Sequence, residues 1–374
     1  MPVEKVILHV SKYYYPYLGG IETLVKSIAE GMTEYRHVVV CFASNGENSN
    51  DIVNGITVHR VKVNFSIKSQ DIAFGYHRVL KKLIAEYKPQ YVHVHCPNPY
   101  VYPIVLNAIN PDTKLILHWH SDILSKGIIY KLIKPFEKAI LNRADRIIAT
   151  SQNYIHPSSP IYPHREKTSV VPNGMITADF DLKVGDEERI EAIKAQYGHK
   201  KLILFIGRHI PYKGIDWLID IEKKVKSDCH FIIAGQGPLT QQLKEQTTSK
   251  RITFTGRLST DELRCYAHAA DIFALTSNTK AEAFGIALAE AMYCRCAPIV
   301  FHLEGSGVNW VSIKDKTGLE IPLGDIDGYA KAIDLLITNQ TLRERLAEAA
   351  RQRVTDMFTA QSAVNIIKSV YQQL

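Results

Sequence analysis

Short apolar runs alternate with amphipathic helical patterns along this chain, in two successive series. Because such alternation is typical of mostly parallel sheets covered by helices on both faces, the sequence predicts an α/β protein. The turn Pro172-Asn173-Gly174 and the charged stretch after it separate the series. We therefore expect two doubly wound, Rossmann-like domains that face a central cleft. The predicted strands are 6–10, 37–42, 57–63, 91–95, 114–118, 146–150, 202–206, 230–234, 252–255, 272–276, 298–301 and 319–322, and the helices of the first series are 21–32, 71–87 and 126–141.

The length of the chain supports two domains. Its 374 residues exceed what one hydrophobic core usually supports. We place the N-terminal domain at 1–172 and the C-terminal domain at 173–356, followed by a helical tail at 357–374. Hydrophobic residues make up 46% of the chain and charged residues 22%, which is ordinary for a globular protein.

Features of the whole chain predict a cytoplasmic protein. No apolar run reaches the roughly 18 residues that span a bilayer, and the start MPVEKVILHV does not resemble a signal peptide. The six cysteines show neither a disulfide framework nor a C-x-x-C spacing, so we expect reduced thiols. A formal net charge of +7 suits anionic partners in general but selects none of them.

The segment 277–292, SNTKAEAFGIALAEAM, joins a polar loop to the start of an apolar helix. Glu282 precedes the turn at Gly285, and Glu290 follows about one and a half turns inside the helix. The unpaired amides of a first helical turn favour an anionic ligand, and Gly285 lets the backbone approach it. One carboxylate could contact a sugar at the helix start while the other contacts a ribose. The segment alone leaves a second interpretation open, in which Glu282 is a helix cap and Glu290 a solvated helix residue.

Each series also begins with a strand, a loop that contains glycine, and a helix. The first loop carries Gly19-Gly20, and the second is GRHIPYKG at 207–214. Ligands of open α/β sheets bind at the carboxyl ends of the strands, so both loops would border the cleft. Arg208 offers a planar fork and Lys213 a point charge for a diphosphate, although each could also be ordinary surface charge.

Together these segments resemble the family-four retaining glycosyltransferases. Two Glu separated by seven residues characterise the family, and its GG-x-E, VPNGM and GR-x4-KG phrases occur here at 19–22, 171–175 and 207–214. The resemblance covers nearly the whole chain. It implies the GT-B fold, in which the final helix, 357–374 here, crosses back to the first domain.

The chain departs from the family pattern at two positions of the acidic segment. Ala283 replaces the usual first Gly of the phrase, and Arg295 stands where a Gly usually follows the helix. The first change is mild. The second is expected to add a bulky cation near the site.

The resemblance assigns roles residue by residue. Glu282 would hydrogen-bond the transferred sugar, Glu290 would bind the ribose, and His120 would face the anomeric carbon. The predicted catalytic residues are His120, Glu282, Arg208 and Lys213, and the predicted donor-binding residues are Gly19, Gly20, Asn173, Arg257, Leu258, Ala283, Phe284, Gly285, Ile286 and Glu290.

The implied reaction is hexosyl transfer with retention of the anomeric configuration. In the family's favoured route the acceptor attacks from the front side and the departing phosphate oxygen takes its proton, so charge stabilisation requires no metal. We expect no cofactor, and activity that survives EDTA. The stretch 302–325 resembles bacterial surface-polysaccharide mannosyltransferases such as those of O-antigen synthesis, which favours GDP-mannose over a UDP-hexose. The expected acceptor is a hydroxyl of a lipid-linked glycan or polysaccharide.

Functions of other classes remain open at this stage. A nucleotide-sugar epimerase shares the two-domain form, and a non-catalytic nucleotide-sugar binder would keep the binding residues. Gly235-Gln-Gly237 could suggest a nicotinamide dinucleotide site, but Thr240 stands where the third glycine of that fingerprint belongs.

Two His-x-His pairs, His93/His95 and His118/His120, each place both rings on one face of a predicted strand. A metal-dependent hydrolase could use such a pair with Asp122 as a further ligand. We disfavour that interpretation because the sequence shows no further ligand cluster and the acidic segment would be unexplained. No metal site is therefore predicted, and His93 and His118 are expected to be core histidines.

The segment 124–146 is basic and amphipathic. It carries six Lys and Arg against two acidic residues, interleaved with apolar side chains. Such a helix can lie on an anionic membrane, and it can equally bury its apolar stripe in the domain core. We expect a peripheral protein on the cytoplasmic face of the inner membrane, and no nucleic-acid partner.

Overall fold

The computed structural model describes residues 5–17, 19–43, 46–67, 70–123 and 127–374, and residues 128 and 129 by their backbone only. The chain divides into two compact units. The N-terminal unit comprises 1–173 with 360–374, and the C-terminal unit comprises 174–359. Where both ends of the C-terminal unit meet, the Met175 amide donates to the Phe358 carbonyl at 2.8 Å. The two units therefore divide after residues 173 and 359, slightly later than the boundaries after 172 and 356 that the sequence predicted.

The N-terminal unit contains an eight-stranded sheet in the order β10-β9-β8-β7-β1-β2-β4-β3. Its pairs are parallel except β3 with β4, and β5 and β6 form a separate antiparallel hairpin. The strands are β1 Val6–Val10, β2 Arg36–Ala43, β3 Ser49–Val53, β4 Ile56–Lys62, β5 Phe65–Ile67, β6 Gln70–Ile72, β7 Tyr91–Cys96, β8 Lys114–Trp119, β9 Arg146–Ala149 and β10 Thr168–Val170, and the helices are α1 Gly20–Gly31, α2 Tyr76–Tyr87, α3 Val101–Ala108, α4 Ile128–Arg143 and α5 Gln152–Ile155.

One predicted helix was wrong at its start. The sequence pattern suggested a helix from residue 71, whereas β6 occupies Gln70–Ile72 and α2 begins at Tyr76. The Asp71 carboxylate explains the difference, because it accepts hydrogen bonds from Tyr13 Oη and Ser66 Oγ, both at 2.5 Å. The local contact with Ser66 and the long-range contact with Tyr13 hold the segment in the hairpin.

The C-terminal unit contains a six-stranded parallel sheet in the order β13-β12-β11-β14-β15-β16. This is the doubly wound order of a Rossmann fold, and its direction of winding reverses between β11 and β14. The strands are β11 Lys201–Ile206, β12 Cys229–Ala234, β13 Ile252–Gly256, β14 Ile272–Leu275, β15 Ala297–Phe301 and β16 Leu319–Ile321, and the helices are α6 Asp186–Gln196, α7 Ile215–Glu222, α8 Thr240–Gln246, α9 Thr260–Ala269, α10 Ile286–Tyr293, α11 Val308–Val311, α12 Ile326–Thr338 and α13 Gln340–Met357.

The last helix, α14 at Ala360–Gln372, belongs to the N-terminal unit. Its buried face includes Val364 and Ile367, which share a core cluster with Leu24 and Ile28 of α1. Helix α14 therefore completes the core of the N-terminal unit. Within the described part of the chain, no helix has the length and apolarity needed to cross a membrane.

Candidate active site

The centre of the candidate site lies where the winding of the C-terminal sheet reverses. Strands β11 and β14 are neighbours there, and the loops that follow them meet at one edge of the sheet. Gly214 has φ of +62°, and a Cβ at this position would lie 2.2 Å from the Thr276 carbonyl oxygen. Only glycine lets the loop that carries Lys213 pack so closely on the end of β14.

Lys213 and Glu282 form a buried ion pair at this edge. The Lys213 ammonium contacts Glu282 Oε2, and the two side chains are only 12% and 10% exposed. Ser277 Oγ donates to the same carboxylate oxygen at 2.7 Å. Burial by itself lowers the pKa of Lys213, but the Glu282 carboxylate and Tyr212 outweigh it and raise that pKa overall. The lysine therefore keeps its charge in a poorly solvated place.

The residues after Glu282 present backbone rather than side chains. Gly285, at φ of +84°, caps α10, and within the described part of the chain no side chain accepts from the first amides of that helix. The Phe284 side chain is buried and packs edge-on against Phe358, with ring centres 5.4 Å apart. Ala283 is held through its carbonyl, which accepts from the Gly307 amide at 3.0 Å. Ile286 is half-buried against the core, so this segment offers amides to a ligand.

Glu290 is not a solvated helix residue. It is half-buried on α10, and its carboxylate has no hydrogen-bond partner among the described residues. Burial raises its pKa to about 8, and the nearby Asp179 carboxylate adds to the effect. Hydroxyl donors from a ligand would hydrogen-bond the charged form of this group and so favour it.

Arg295 does not lie at the ligand-facing end of α10. It follows the opposite end of the helix, where its guanidinium pairs with Glu348 of α13 at 3.0 Å. Its φ of +66° lies in the left-handed region, which favours glycine. The expectation of a bulky cation near the site is therefore wrong, because the side chain extends over the surface.

Arg208 and Arg257 are exposed and have no hydrogen-bond partner among the described residues. Arg208 follows β11, and Arg257 follows β13 just after Gly256. Leu258 is half-buried against the core of this unit. Both guanidinium groups are thus free to reach an anion at the carboxyl edge of the sheet.

The glycines of the Gly235-Gln-Gly237 phrase serve backbone packing. A Cβ at Gly235 would lie 1.9 Å from the Gly207 carbonyl oxygen, and one at Gly237 would lie 2.5 Å from that of His209. The two loops therefore touch each other directly. This explains the glycines without a dinucleotide.

The predicted donor-binding glycines of the N-terminal unit lie at the start of α1. Gly19 is the cap residue, Gly20 begins the helix, and the Glu22 carboxylate folds back to within 2.2 Å of where a Gly19 Cβ would be. Burial raises the pKa of Glu22. Asn173 is half-buried, and its Oδ1 is buried without a hydrogen-bond partner.

The structure brings six histidines together on one face of the N-terminal sheet. His93 and His95 on β7 and His118 and His120 at the end of β8 are joined by His9 of β1 and His37 of β2, and all are buried. The nitrogens of two groups could hold a metal, namely His9/His93/His95 and His95/His118/His120.

The premise that no further ligand cluster exists was therefore wrong, because His9 and His37 are remote in sequence. Burial lowers the pKa of His120 to about 3. Asp122 belongs to a different network, in which Trp119 Nε1 and Ser158 Oγ donate to it at 2.8 and 2.7 Å.

Helix α4 has a buried apolar face and an exposed face that carries lysines, and its sequence allowed both. Ile140 and Leu141 are buried, whereas Leu132 and Phe136 are 71% and 45% exposed. The exposed pair is surrounded by three exposed lysines, Lys131, Lys134 and Lys138. Residues 124–126 of the basic segment lie outside the described residues.

Comparison with known proteins follows the division seen in the structure. Residues 18–179 match the family described as Glycosyltransferase Family 4, and residues 186–353 match Glycosyl transferases group 1. The two matches together cover most of the chain, which belongs to the group 1 glycosyltransferases. Its two Rossmann-like domains are those of the GT-B fold.

Individual relatives are similar along nearly their full length. The chain is 27% identical to O-antigen chain mannosyltransferase C of Escherichia coli, over 98% of each protein. It is 27% identical to D-rhamnosyltransferase WbpZ of Pseudomonas aeruginosa, over 95% of this chain and 92% of that protein. Sucrose-phosphate synthase of Thermosynechococcus elongatus shares the fold at a TM-score of 0.77 and 18% identity, over 99% of each chain. Anabaena HepE in complex with UDP does so at 0.77 and 20%, over 98% of this chain and 100% of that chain.

Proposed function

We propose that this protein transfers a hexose, with retention of configuration, from a nucleotide diphosphate sugar to a hydroxyl of a lipid-linked or polysaccharide acceptor. The observation that carries the proposal is the buried Lys213–Glu282 pair beside the first turn of α10. It places a fixed cation, a fixed carboxylate and unpaired amides at one sheet edge. A diphosphate with a polyhydroxylated sugar needs these three kinds of group.

Each partner of the pair has a distinct role in the proposal. Lys213 stabilises negative charge on the departing diphosphate, together with the free guanidinium of Arg208 and the α10 amides. Glu282 accepts hydrogen bonds from hydroxyls of the transferred sugar. Its carboxylate is already bound by Lys213 and Ser277, so we assign it to orientation and not to nucleophilic attack.

The proposed transfer balances without a covalent enzyme intermediate. The acceptor oxygen forms its bond to the anomeric carbon on the face that the phosphate leaves, and the phosphate oxygen takes the acceptor proton. His120 is the residue we propose to face the sugar. Preorganised charge supplies the stabilisation, so we propose that the step itself is metal-independent.

The nucleotide portion is assigned to Glu290 and Arg257. Ribose hydroxyls would donate to the unpartnered Glu290 carboxylate, and Arg257 would contact base or phosphate. The donor proposed is GDP-mannose, supported by the mannosyltransferase and rhamnosyltransferase names of the two relatives. A UDP-hexose is the second candidate, because HepE was crystallised with UDP-glucose.

The donor is tested by incubating the protein with a panel of labelled nucleotide sugars and a bacterial membrane extract. Released nucleotide together with labelled lipid from GDP-mannose is the expected result. Conversion of the free nucleotide sugar to an isomer would indicate an epimerase, and binding without turnover would indicate a sensor. Lys213→Ala should abolish transfer, whereas Lys223→Ala, an exposed lysine paired with Asp220, should not.

We further propose that α4 docks on anionic lipid at the cytoplasmic face of the inner membrane, where a lipid-linked acceptor would be presented. Exposed Leu132 and Phe136 supply apolar contact, and the lysines around them supply charge. Flotation with vesicles should require anionic lipid and should weaken strongly when Lys131, Lys134 and Lys138 are changed to Glu. Binding that ignores lipid charge would exclude this role.

A further inference from the structure

The histidine cluster of the N-terminal unit leaves several buried nitrogens without a partner. These are His93 Nε2, His120 Nδ1 and both nitrogens of His118. A buried polar atom that makes no hydrogen bond costs about 1–3 kcal/mol, and native proteins keep few of them. Of the four, His93 Nε2 is the atom that an ion bound by His9, His93 and His95 would satisfy.

Nitrogens of three histidines approach one another within the cluster. One nitrogen each of His9, His93 and His95 lies within 4.8 Å of the other two. His9 Nδ1 and His95 Nε2 are 3.3 Å apart. This is longer than the usual hydrogen bond of about 2.7–3.2 Å. Two nitrogens bound to one tetrahedral zinc at about 2.0–2.1 Å would be about 3.3–3.4 Å apart.

The opposite nitrogens of His9 and His93 are held by hydrogen bonds from outside the group. His9 Nε2 lies 3.0 Å from His37 Nδ1, within hydrogen-bond distance, whereas His95 Nδ1 has only the longer contact of 3.3 Å with His120 Nε2. Tyr371 Oη of α14 lies 2.8 Å from His93 Nδ1. Metal-binding histidines are commonly fixed in this way by a partner on the second nitrogen.

The hydrogen bonds also define the tautomer of His9. His37 Nε2 lies 3.0 Å from the Met32 carbonyl oxygen, which can only accept, so His37 donates through Nε2. His37 Nδ1 then accepts from His9 Nε2, which leaves a lone pair on His9 Nδ1 toward the cluster. A lone pair directed at the ion is what a histidine ligand must present.

We propose that His9, His93 and His95 bind one divalent transition-metal ion of the zinc type, through His9 Nδ1, His93 Nε2 and His95 Nε2. Three imidazoles suit Zn²⁺, Co²⁺, Ni²⁺ or Cu²⁺, and do not suit Mg²⁺ or Ca²⁺, which take oxygen ligands. A water or hydroxide completes the coordination.

The second histidine group competes for the same ion because both groups need His95. We assign the ion to the first group because His118 has no partner on either nitrogen to orient it. The ion stabilises the sheet of the N-terminal unit and takes no part in the transfer step proposed above. The two proposals therefore stand or fall separately.

The test begins with the full-length protein purified without chelator. We expect close to one zinc per chain by elemental analysis. After the metal is removed, Zn²⁺ should raise the melting temperature and Mg²⁺ should not. Co²⁺ should give the intense visible absorption of a tetrahedral site. These three measurements need no variant, so they remain decisive if a variant fails to fold.

Variants then identify the ligands. His9→Gln or His93→Gln should remove the bound metal, and His37→Phe should weaken zinc binding about 10–100-fold. His77→Gln is the matched control, because His77 is exposed and contacts Asn107 on the surface. His118→Gln should retain the metal.

Three results would each overturn the assignment. The first is absence of metal together with no stabilisation by any of the four transition ions. The second is a cobalt spectrum of an octahedral oxygen site. The third is metal that survives His93→Gln but is lost in His118→Gln.

Discussion

The Glu290 carboxylate offers the sharpest link between the stability of this protein and its proposed ligand. Its pKa is about 8 in the folded chain, against an ordinary value of 4.5. The folded state therefore holds a proton between these pH values that the unfolded state has released. The contribution of Glu290 to the free energy of unfolding must therefore fall as pH rises from about 4.5 to 8.

The size of the effect follows from the shift. Between pH 4.5 and pH 7.5 the full pKa shift would lower the free energy of unfolding by about 4 kcal/mol, because each pH unit is worth about 1.36 kcal/mol. Because the residue is only half-buried, water screens part of this cost and we expect about 1–2 kcal/mol. Glu290→Gln removes the ionisable group. The variant should unfold at higher urea concentration than the wild type at pH 7.5 and at nearly the same concentration at pH 4.5.

Urea unfolding of the ligand-free protein at several pH values measures this difference. Glu188→Gln on α6 is the matched control, because Glu188 is exposed on a different helix. Above about pH 8, where the Glu290 carboxylate is charged, the same variant should bind nucleotide diphosphate at least about tenfold more weakly than the wild type, since a charged hydrogen-bond acceptor is worth about 1.5–3 kcal/mol. A stability difference between variant and wild type that does not change with pH would refute the reasoning.

Three further predictions concern the candidate site and its scaffold. Glu282→Gln should lower kcat by about 10²–10³-fold with the fold intact, as for loss of one preorganised electrostatic group, and steady-state kinetics against the control Glu188→Gln checks it. Transfer should proceed in EDTA without added divalent metal; loss that Mg²⁺ or Mn²⁺ restores would contradict the proposed charge stabilisation. Gly235→Ala should destabilise the C-terminal unit by more than about 3 kcal/mol through collision with the Gly207 carbonyl, whereas Gly324→Ala, also at positive φ but in open space, should cost only about 1 kcal/mol in urea unfolding.

The acidic segment 277–292 shows which features of the site could be predicted from local sequence and which could not. Spacing alone places Glu282 before Gly285 and Glu290 inside a helix, and α10 begins at Ile286 with Gly285 as its cap. The sequence could not show that Lys213 binds Glu282, because 69 residues separate them. It also could not show that Arg295 extends to Glu348, since that contact depends on how α13 packs.

The histidine cluster and the β5–β6 hairpin could not be predicted from local sequence either. The period of two within β7 and β8 pairs His93 with His95 and His118 with His120. The addition of His9 and His37 depends on strand order, because β1 lies beside β7 in the sheet although 80 residues intervene. Likewise β5 and β6 are short, polar at their centres and held by Tyr13. No local pattern would have separated them from the helix that follows.

The sequence by itself determined the elements of this protein, since apolar periodicity and glycine placement are local properties and fix strands, helices and their caps. It also determined the kinds of charge available at the end of each strand. Only the tertiary structure decided which of these charges meet and which are removed from water. The winding order of the sheet brings the ends of β11 and β14 together, and burial there turns Lys213 and Glu282 into a fixed pair while it raises the pKa of Glu290. Both effects depend on distance and solvent access in three dimensions, which residue order does not specify.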